Sequence, residues 1–356
     1  MDIVLNVVAP VFAIILAGWT AGRVGLLGRD GSVALNQFVY WFALPPVLFL
    51  GLAGAPLEDI FNAAFLNAFL IGLGATYLIG LASGWALWRR RHHRRAHGLT
   101  NATGASAAGV RADGTNASAD DAIDPGTTGQ KASIMALNAS FSNTGYMGIP
   151  LFIALVGSQL LAPVIVATVI MSAVMVAVAI IMLEGLGQSD EPPLMIARNI
   201  GRALITNPLI ISSLAGLAAA FVALPIAEPV ERFGNLIGAA AGPCALFSIG
   251  LFLAGQSLRD GLGDALWISV LKLVVQPAIT ILLIDLYFPM DPYWRASAIV
   301  LAALPTGGLT FVIAERYGIS VGDTSATILI STLLSLFTLS GILLFLAPVF
   351  QQAANG

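Results

Sequence analysis

The sequence predicts an all-α membrane protein with ten transmembrane helices, arranged as two inverted five-helix repeats with broken crossover helices four and nine. Three observations support this fold class. Of the 356 residues, 58% are hydrophobic and 10% are charged, whereas soluble domains contain about 25% charged residues. Apolar segments long enough to cross a bilayer recur along the whole chain. Short sequence matches relate the second half of the chain to the first.

The individual spans follow from the apolar segments, because each transmembrane helix needs about 20 predominantly apolar residues. The ten predicted spans are 3–22, 33–53, 62–88, 132–156, 162–186, 208–225, 231–255, 265–287, 294–316 and 324–349. An acidic residue and no basic residue precedes the first apolar run, so this span is expected to be retained rather than cleaved as a signal peptide.

Two pairs of matching segments predict the repeats. "LAGAPLED" at 52–59 and "LAGQSLRD" at 253–260 share five of eight residues at an offset of 201. "NTGYMG" in span four and "PTGGLT" in span nine share a Thr-Gly pair at an offset of 162. The two offsets differ by 39, which is close to the length by which the loop 89–131 exceeds its counterpart between spans eight and nine. Five spans is an odd number, so the copies are expected to have opposite orientations, as in many secondary transporters.

The repeats divide the chain into residues 1–186 and 208–356, with a linker at 187–207. Residues 89–131 begin "RRRHHRRAHG" and then contain almost no large apolar residues. They cannot bury a core, so the sequence predicts a disordered cytoplasmic loop. The linker contains apolar residues among arginines, which fits either a short interfacial helix or a plain connection.

The basic residues predict the orientation. Cytoplasmic loops carry an excess of Lys and Arg, and placing both termini outside the cell puts 13 of the 16 basic residues on the cytoplasmic side. Those residues are Arg23, Arg29, Arg89, Arg90, Arg91, Arg94, Arg95, Arg111, Lys131, Arg198, Arg202, Arg259 and Arg316. The predicted location is therefore a multi-pass position in the cell membrane with extracellular termini.

Spans four and nine contain polar and helix-breaking residues where lipid would favour Leu and Val. Proline removes a backbone donor and glycine permits unusual backbone angles, so both spans are expected to be interrupted, near 145–150 and 305–308. Freed backbone groups are tolerated only where they are buried in protein or line a wet cavity. The sequence predicts that the two breaks face each other and bind an anion at the N-termini of the half-helices. The candidate substrate-binding residues are Asn138, Ser142, Asn143, Thr144, Gly145, Pro150, Pro305, Thr306, Gly307 and Thr310.

Lys272 is the one basic residue well inside a predicted span, and Gln276 follows it by one helical turn. Intramembrane charges usually face the protein interior or water. The two residues are therefore candidates for supporting the substrate site or for coupling transport to an ion. A lysine that reaches the cytoplasmic surface is the simpler alternative.

These features predict a secondary transporter of small organic anions and not an enzyme. The sequence contains no ATP-binding loop of the Gly-x-x-x-x-Gly-Lys type. No metal, cofactor or nucleic acid is expected to bind, while coupling to protons or sodium and assembly into a homodimer are left open. The alternatives are a sodium-coupled symporter of the bile-acid type and a membrane receptor that does not transport.

Several segments resemble the auxin efflux carrier family, namely "FVYWFALPPVLFLGLA", "NTGYMGIPLF", "TNPLIISSLAGL" and "ALPTGGLTFVIAERYG". The plant relatives are the PIN-type auxin exporters. The resemblance implies ten spans in two inverted repeats, a scaffold and a transport domain, and a crossover of spans four and nine beside the substrate carboxylate. It places Asn143, Gly145, Pro150, Pro305 and Thr306 at that crossover.

The resemblance also bears on the support site and the substrate. Lys272 falls where plant members carry a lysine in span eight. Those members have an aspartate beside it in span three, where this chain has Asn67 and no aspartate. Prokaryotic members are associated with dicarboxylates such as malonate or malate, so the resemblance implies carboxylate or auxin-like acids as substrates.

Overall fold

The computed structural model describes residues 4–102, 127–158, 160–187, 193–256 and 262–355, and these are almost entirely helical. We number the helices by the predicted spans that they form. Their bounds are α1 Asn6–Val24, α2 Asp30–Ala53, α3 Ala63–Ala102, α4a Thr128–Ser140, α4b Thr144–Val156, α5 Ala162–Gly185, α6 Pro208–Phe221, α7 Glu228–Ala254, α8 Leu262–Leu286, α9a Pro292–Ala302, α9b Leu309–Tyr317 and α10 Val321–Asn355. Pro193–Ile205 forms a further helix between α5 and α6, which we call the linker helix.

Seven described helices are long and apolar enough to cross a membrane, and the number is eight if the linker helix and α6 count as one bent span. The seven are α1, α2, α3, α5, α7, α8 and α10. The structure therefore confirms an all-α membrane protein. The halves of spans four and nine are each too short to cross a bilayer alone, so the count of ten remains a prediction.

The predicted disordered loop at 89–131 needs correction at both ends. The α3 helix continues to Ala102, and Thr127 already caps the N-terminus of α4a through a reciprocal hydrogen-bonded box with Gln130. Once a helix has formed, each further residue adds a hydrogen bond at little cost, and Arg and Ala are good helix formers. A lack of apolar residues therefore did not prevent helix formation at 89–102. Residues 103–126 of that predicted loop lie outside the described part of the chain.

The helices fall into two packing groups. In the first group α1 packs along α7, and α2 packs along α6 and α7. In the second group α3 contacts α4a and α8, and α10 contacts α8, α9a and α9b. Small residues permit this close packing, because α3 approaches α4a at Gly80 and Gly84, opposite Ala136 and Ala132. The two broken spans pack in the second group, and α4b also packs against α7 of the first group.

Widened turns precede several of the prolines. A π-helical turn at Leu271–Val275 comes before Pro277, and another at Thr144–Gly148 comes before Pro150. Proline lacks a backbone donor and its ring clashes with the carbonyl of the preceding turn, so the backbone widens there. The first of these turns contains Lys272, so the proline sets the local geometry of the intramembrane lysine.

Candidate functional site

Spans four and nine are both interrupted, and the interruptions lie against each other. Residues 141–143 separate α4a from α4b, and residues 303–308 separate α9a from α9b. Ser142 and Thr306 form an isolated antiparallel bridge. The N–H of Asn143 donates to the carbonyl of Pro305, and the N–H of Gly307 donates to the carbonyl of Phe141, both at 3.0 Å. Backbone groups freed by one break are thus satisfied by the other, as the absence of water in a bilayer demands. We call this contact the crossover.

Side chains reinforce the crossover from two directions. The hydroxyl of Thr306 donates to the carbonyl of Asn138 at 2.8 Å, and the N–H of Thr306 donates to Oγ of Ser331 in α10 at 3.2 Å. The amide of Asn138 donates to Oγ1 of Thr324, also in α10, at 3.0 Å. Asn138 and Thr306 are both buried. Their side chains hold the two breaks together, and the substrate binding predicted for them stays a prediction.

Ser331 and Thr324 were missed by the sequence reasoning. They lie seven residues apart in α10, hence on one face of that helix, and Ser335 continues the same face one turn later. A stripe of small hydroxyl residues in an apolar helix is the signal that indicates a contact with exposed backbone.

The break in span four lies at 141–143 and not near Gly145–Pro150, where the sequence placed it. Pro150 lies inside α4b, directly after the π-helical turn that accommodates its missing N–H, and it packs near Gly242 of α7. Gly145 belongs to the widened turn that begins α4b. The strand-like partner in span nine, rather than the proline, decides where the helix stops.

Lys272 and Gln276 extend from α8 to the crossover. The ammonium of Lys272 donates to the carbonyl of Ala302, the last residue of α9a, at 2.7 Å. The side-chain amide of Gln276 donates to the carbonyl of Ser140, the last residue of α4a, at 3.2 Å. The Lys272 side chain is fully buried, so it does not reach the cytoplasmic surface. One helix therefore covers the carbonyl ends of both first half-helices with side chains one turn apart.

No carboxylate within the described chain pairs with Lys272, and its ammonium has the Ala302 carbonyl as its hydrogen-bond partner. Asn67, which stands in span three, is exposed and the structure gives it no contact with the lysine. Within the described residues, no group of three His, Cys, Asp or Glu side chains could hold a metal ion. The carbonyl end of α9a carries a partial negative charge and offsets the ammonium only in part.

The amide ends of α4b and α9b are less covered than the carbonyl ends. Their flanking residues Asn143 and Gly308 make no side-chain capping hydrogen bond. Gly308 is exposed and has open space where a Cβ would be, and Gly145 is partly exposed. Thr310, in the first turn of α9b, bonds back to the carbonyl of Gly307 at 3.0 Å. The positive end of the α9b dipole therefore faces accessible space at Gly308, whereas at the start of α4b Asn143 and Thr144 are buried and Gly145 is partly exposed.

Gly307 is required by the crossover itself. A Cβ at this position would lie 2.8 Å from Cδ1 of Phe141 and 3.3 Å from Cα of Asn143. The Phe141 side chain is buried, so its ring has little room to move. Around the crossover, three buried polar atoms make no hydrogen bond to the described protein, namely Oδ1 of Asn138, Oγ of Ser142 and Oε1 of Gln276. Such atoms are usually satisfied by water or a ligand.

Comparison with known proteins agrees with this architecture. A family model described as "Membrane transport protein" matches residues 3–107 and 126–343, which is nearly the whole chain. The chain belongs to this family. The resemblance to the auxin efflux carrier family is thereby confirmed, and the protein is a membrane transporter with several apolar helices. Membership indicates a transporter rather than an enzyme.

Individual relatives of this transporter come from bacteria, archaea and plants. A Rhizobium meliloti (strain 1021) protein named "Putative malonate transporter" is 30% identical over 96% of this chain and 95% of its own length. An "Uncharacterized transporter" of Methanothermobacter thermautotrophicus is 24% identical over 93% of this chain and 95% of its own length. "Auxin efflux carrier component 3a" of Oryza sativa subsp. japonica is 30% identical over 43% of this chain and 26% of its own length.

Proposed function

We propose that this transporter carries small organic anions by alternating access, with the substrate carboxylate bound beside the crossover. One observation carries the proposal. Lys272 and Gln276 cover the carbonyl ends of α9a and α4a, while the amide ends of α9b and α4b lack side-chain caps. The negative carbonyl ends of α4a and α9a are therefore covered by side chains, while the positive amide ends of α4b and α9b are left for a ligand. Such a site favours an anion over a cation.

The lysine supports the same conclusion by its charge. A lysine at the centre of a membrane helix costs about 2.5–3.5 kcal/mol on insertion scales, and the carbonyl of Ala302 offsets only part of this. A bound carboxylate near the crossover would supply the missing negative charge. Asn143, Thr144 and Gly145 lie where α4b begins, beside that space. Their amide, hydroxyl and backbone donors are suited to the carboxylate oxygens.

The names of the relatives indicate which acids to test first. Among the acids to be tested first are dicarboxylates such as malonate and malate, because a relative that spans nearly the same length is named a malonate transporter. Auxin-like acids rank second, because the plant relative matches over less than half of this chain.

The packing supports two inverted repeats, divided at residues 187–207. An inverted repeat exchanges span n with span n+5, so the pair α1–α7 should reappear as α6–α2, and the pair α3–α4a as α8–α9a. Each of these pairs is in contact. We therefore infer that α1, α2, α6 and α7 form a scaffold, and that the crossover group moves against it.

We further propose that both termini face the outside of the cell membrane. In a variant whose single native cysteine, Cys244, is replaced by serine, we expect an impermeant maleimide to label Ala227→Cys but not Ala197→Cys in intact cells. Both residues are exposed. Ala227 lies directly before α7 and Ala197 lies in the linker helix, on opposite sides of the predicted membrane. Val110→Cys should also stay unlabelled. If positions 197 and 110 are labelled and position 227 is not, the orientation is the opposite of the one proposed.

Purified protein should be stabilised selectively by its substrate. We expect malonate or malate to raise the melting temperature at millimolar concentration, while choline chloride and taurocholate at matched ionic strength do not. A ligand at 100 times its Kd stabilises the folded state by about 2.7 kcal/mol. Uptake into proteoliposomes then separates a transporter from a receptor, and replacing sodium by choline tests the bile-acid-type alternative. Stabilisation by taurocholate alone, with sodium-dependent uptake, would refute the proposal.

A further inference from the structure

The linker helix has an orientation that suits the membrane surface. Its axis is bent by 66° from that of α6, with a break of a few residues around Asn207. If α6 crosses the bilayer, the linker helix runs close to the membrane plane. Asn207 caps α6 by accepting a hydrogen bond from the N–H of Leu209 at 2.9 Å, which fixes the start of α6 at this bend.

The outward face of the linker helix mixes apolar and basic side chains. Leu194 and Ile205 are 81% and 73% exposed, and Arg198 and Arg202 are exposed one turn apart. Helical spacing places these four residues on one side. The opposite side, which includes Ile200, is partly covered by protein. Apolar residues beside arginines are the composition of helices that lie at the boundary between lipid headgroups and acyl chains.

The two arginines have no side-chain partner among the described residues. In contrast, Arg232 and Arg295, which the topology places on the other side of the membrane, are paired with Glu228 and Asp285. A guanidinium presents five N–H donors in a fork that matches phosphate oxygens. Two such groups one turn apart, flanked by exposed apolar residues, therefore fit the phosphates of lipid headgroups better than a protein partner.

We propose that the linker helix binds anionic phospholipids, with Arg198 and Arg202 on the headgroup phosphates and Leu194 and Ile205 among the upper acyl chains. The proposal does not depend on which acid the protein carries. Its chemistry requires an anionic headgroup, because zwitterionic lipids present a compensating cation beside the phosphate. In the orientation given above, the lipid belongs to the cytoplasmic leaflet, where basic segments are attracted to anionic lipids.

The linker helix is connected to span nine by hydrogen bonds through one carboxylate. On the inner side of the linker helix, the amide of Asn199 donates to Oε1 of Glu184 at 3.4 Å. The same carboxylate oxygen accepts the hydroxyl of Tyr317, the last residue of α9b, at 3.2 Å. Lipid that immobilises the linker helix thereby also restrains the end of the half-helix that leaves the crossover.

Thermal unfolding in detergent with added lipid tests the binding. We expect phosphatidylglycerol to stabilise the wild type more than phosphatidylcholine does. The variant Arg198→Gln/Arg202→Gln should need about thirtyfold more phosphatidylglycerol for the same shift in melting temperature. Arg232→Gln, which removes an exposed but paired arginine, should respond as the wild type does. Arg198→Lys/Arg202→Lys should keep most of the response and shows that the helix itself tolerates substitution.

Two results would overturn the binding site: an unchanged phosphatidylglycerol response in the double glutamine variant, or an equal loss in Arg232→Gln. The route to span nine has its own test in hydrogen–deuterium exchange. Phosphatidylglycerol should slow exchange at the end of α9b in the wild type but not in Asn199→Ala. Equal protection in both proteins would refute the route through Glu184.

Discussion

Replacing Lys272 by methionine is expected to abolish most transport while leaving a folded protein. Methionine keeps the length of the side chain and removes the charge, so the carbonyl end of α9a loses the group that masks it. Removing one partner of a buried charge interaction costs about 2 kcal/mol or more, which corresponds to a loss of roughly thirtyfold in substrate affinity. Lys272→Arg keeps the charge and should retain some transport. The measurement is uptake of the stabilising acid into proteoliposomes at matched protein levels.

The same helix supplies a matched control for Lys272. Val274 lies two residues further on and is 53% exposed, so Val274→Met introduces the same side chain away from the crossover and should transport at the wild-type rate. Because methionine also removes the cost of burying a charge, the melting temperature of Lys272→Met is expected to stay close to that of the wild type. Wild-type uptake by Lys272→Met would show that the lysine is structural and has no part in transport.

Replacing Gly250 by alanine is expected to be the most destabilising small substitution in the protein. A Cβ at Gly250 would lie 2.0 Å from the carbonyl oxygen of Ile15 and 2.6 Å from the backbone nitrogen of Trp19. At the same contact, a Cβ at Gly18 would lie 2.1 Å from the carbonyl oxygen of Phe247. These neighbours are backbone atoms that no change of rotamer can move. Helices α1 and α7 must therefore separate.

We expect Gly250→Ala to lower the free energy of unfolding by about 3 kcal/mol, at the upper end of the range for overpacked sites. Tryptophan fluorescence during thermal unfolding in detergent measures it. Gly74→Ala is the control, since Gly74 lies in α3 and a Cβ added there would meet no neighbouring atom within 4 Å. Alanine at position 74 should leave the free energy of unfolding unchanged or raise it by up to about 1 kcal/mol, because alanine has the higher helix propensity. Equal melting temperatures for the two variants would contradict the backbone contact between α1 and α7.

The sequence determined the membrane-embedded helices, because their apolar length reflects a solvent that excludes unpaired backbone groups. Helices α5 and α8 begin and end within a few residues of the predicted spans. The interruption of spans four and nine was also predictable, since proline, glycine and small polar residues are unfavourable in a continuous lipid-facing helix. The location of the break was only approximate in span four, where the helix stops at 141–143 and Pro150 lies within the half-helix that follows.

Tertiary structure alone decided which groups meet at the crossover. Lys272 meets the carbonyl of Ala302 across 30 residues, and Gln276 meets that of Ser140 across 136 residues. A local sequence pattern shows that a polar side chain lies within an apolar helix. It does not show which backbone group elsewhere in the protein lacks a hydrogen-bond partner. That group is known only once two distant helices have broken against each other. The same reason explains Gly18 and Gly250, which are ordinary glycines in sequence and become necessary only because two backbones touch.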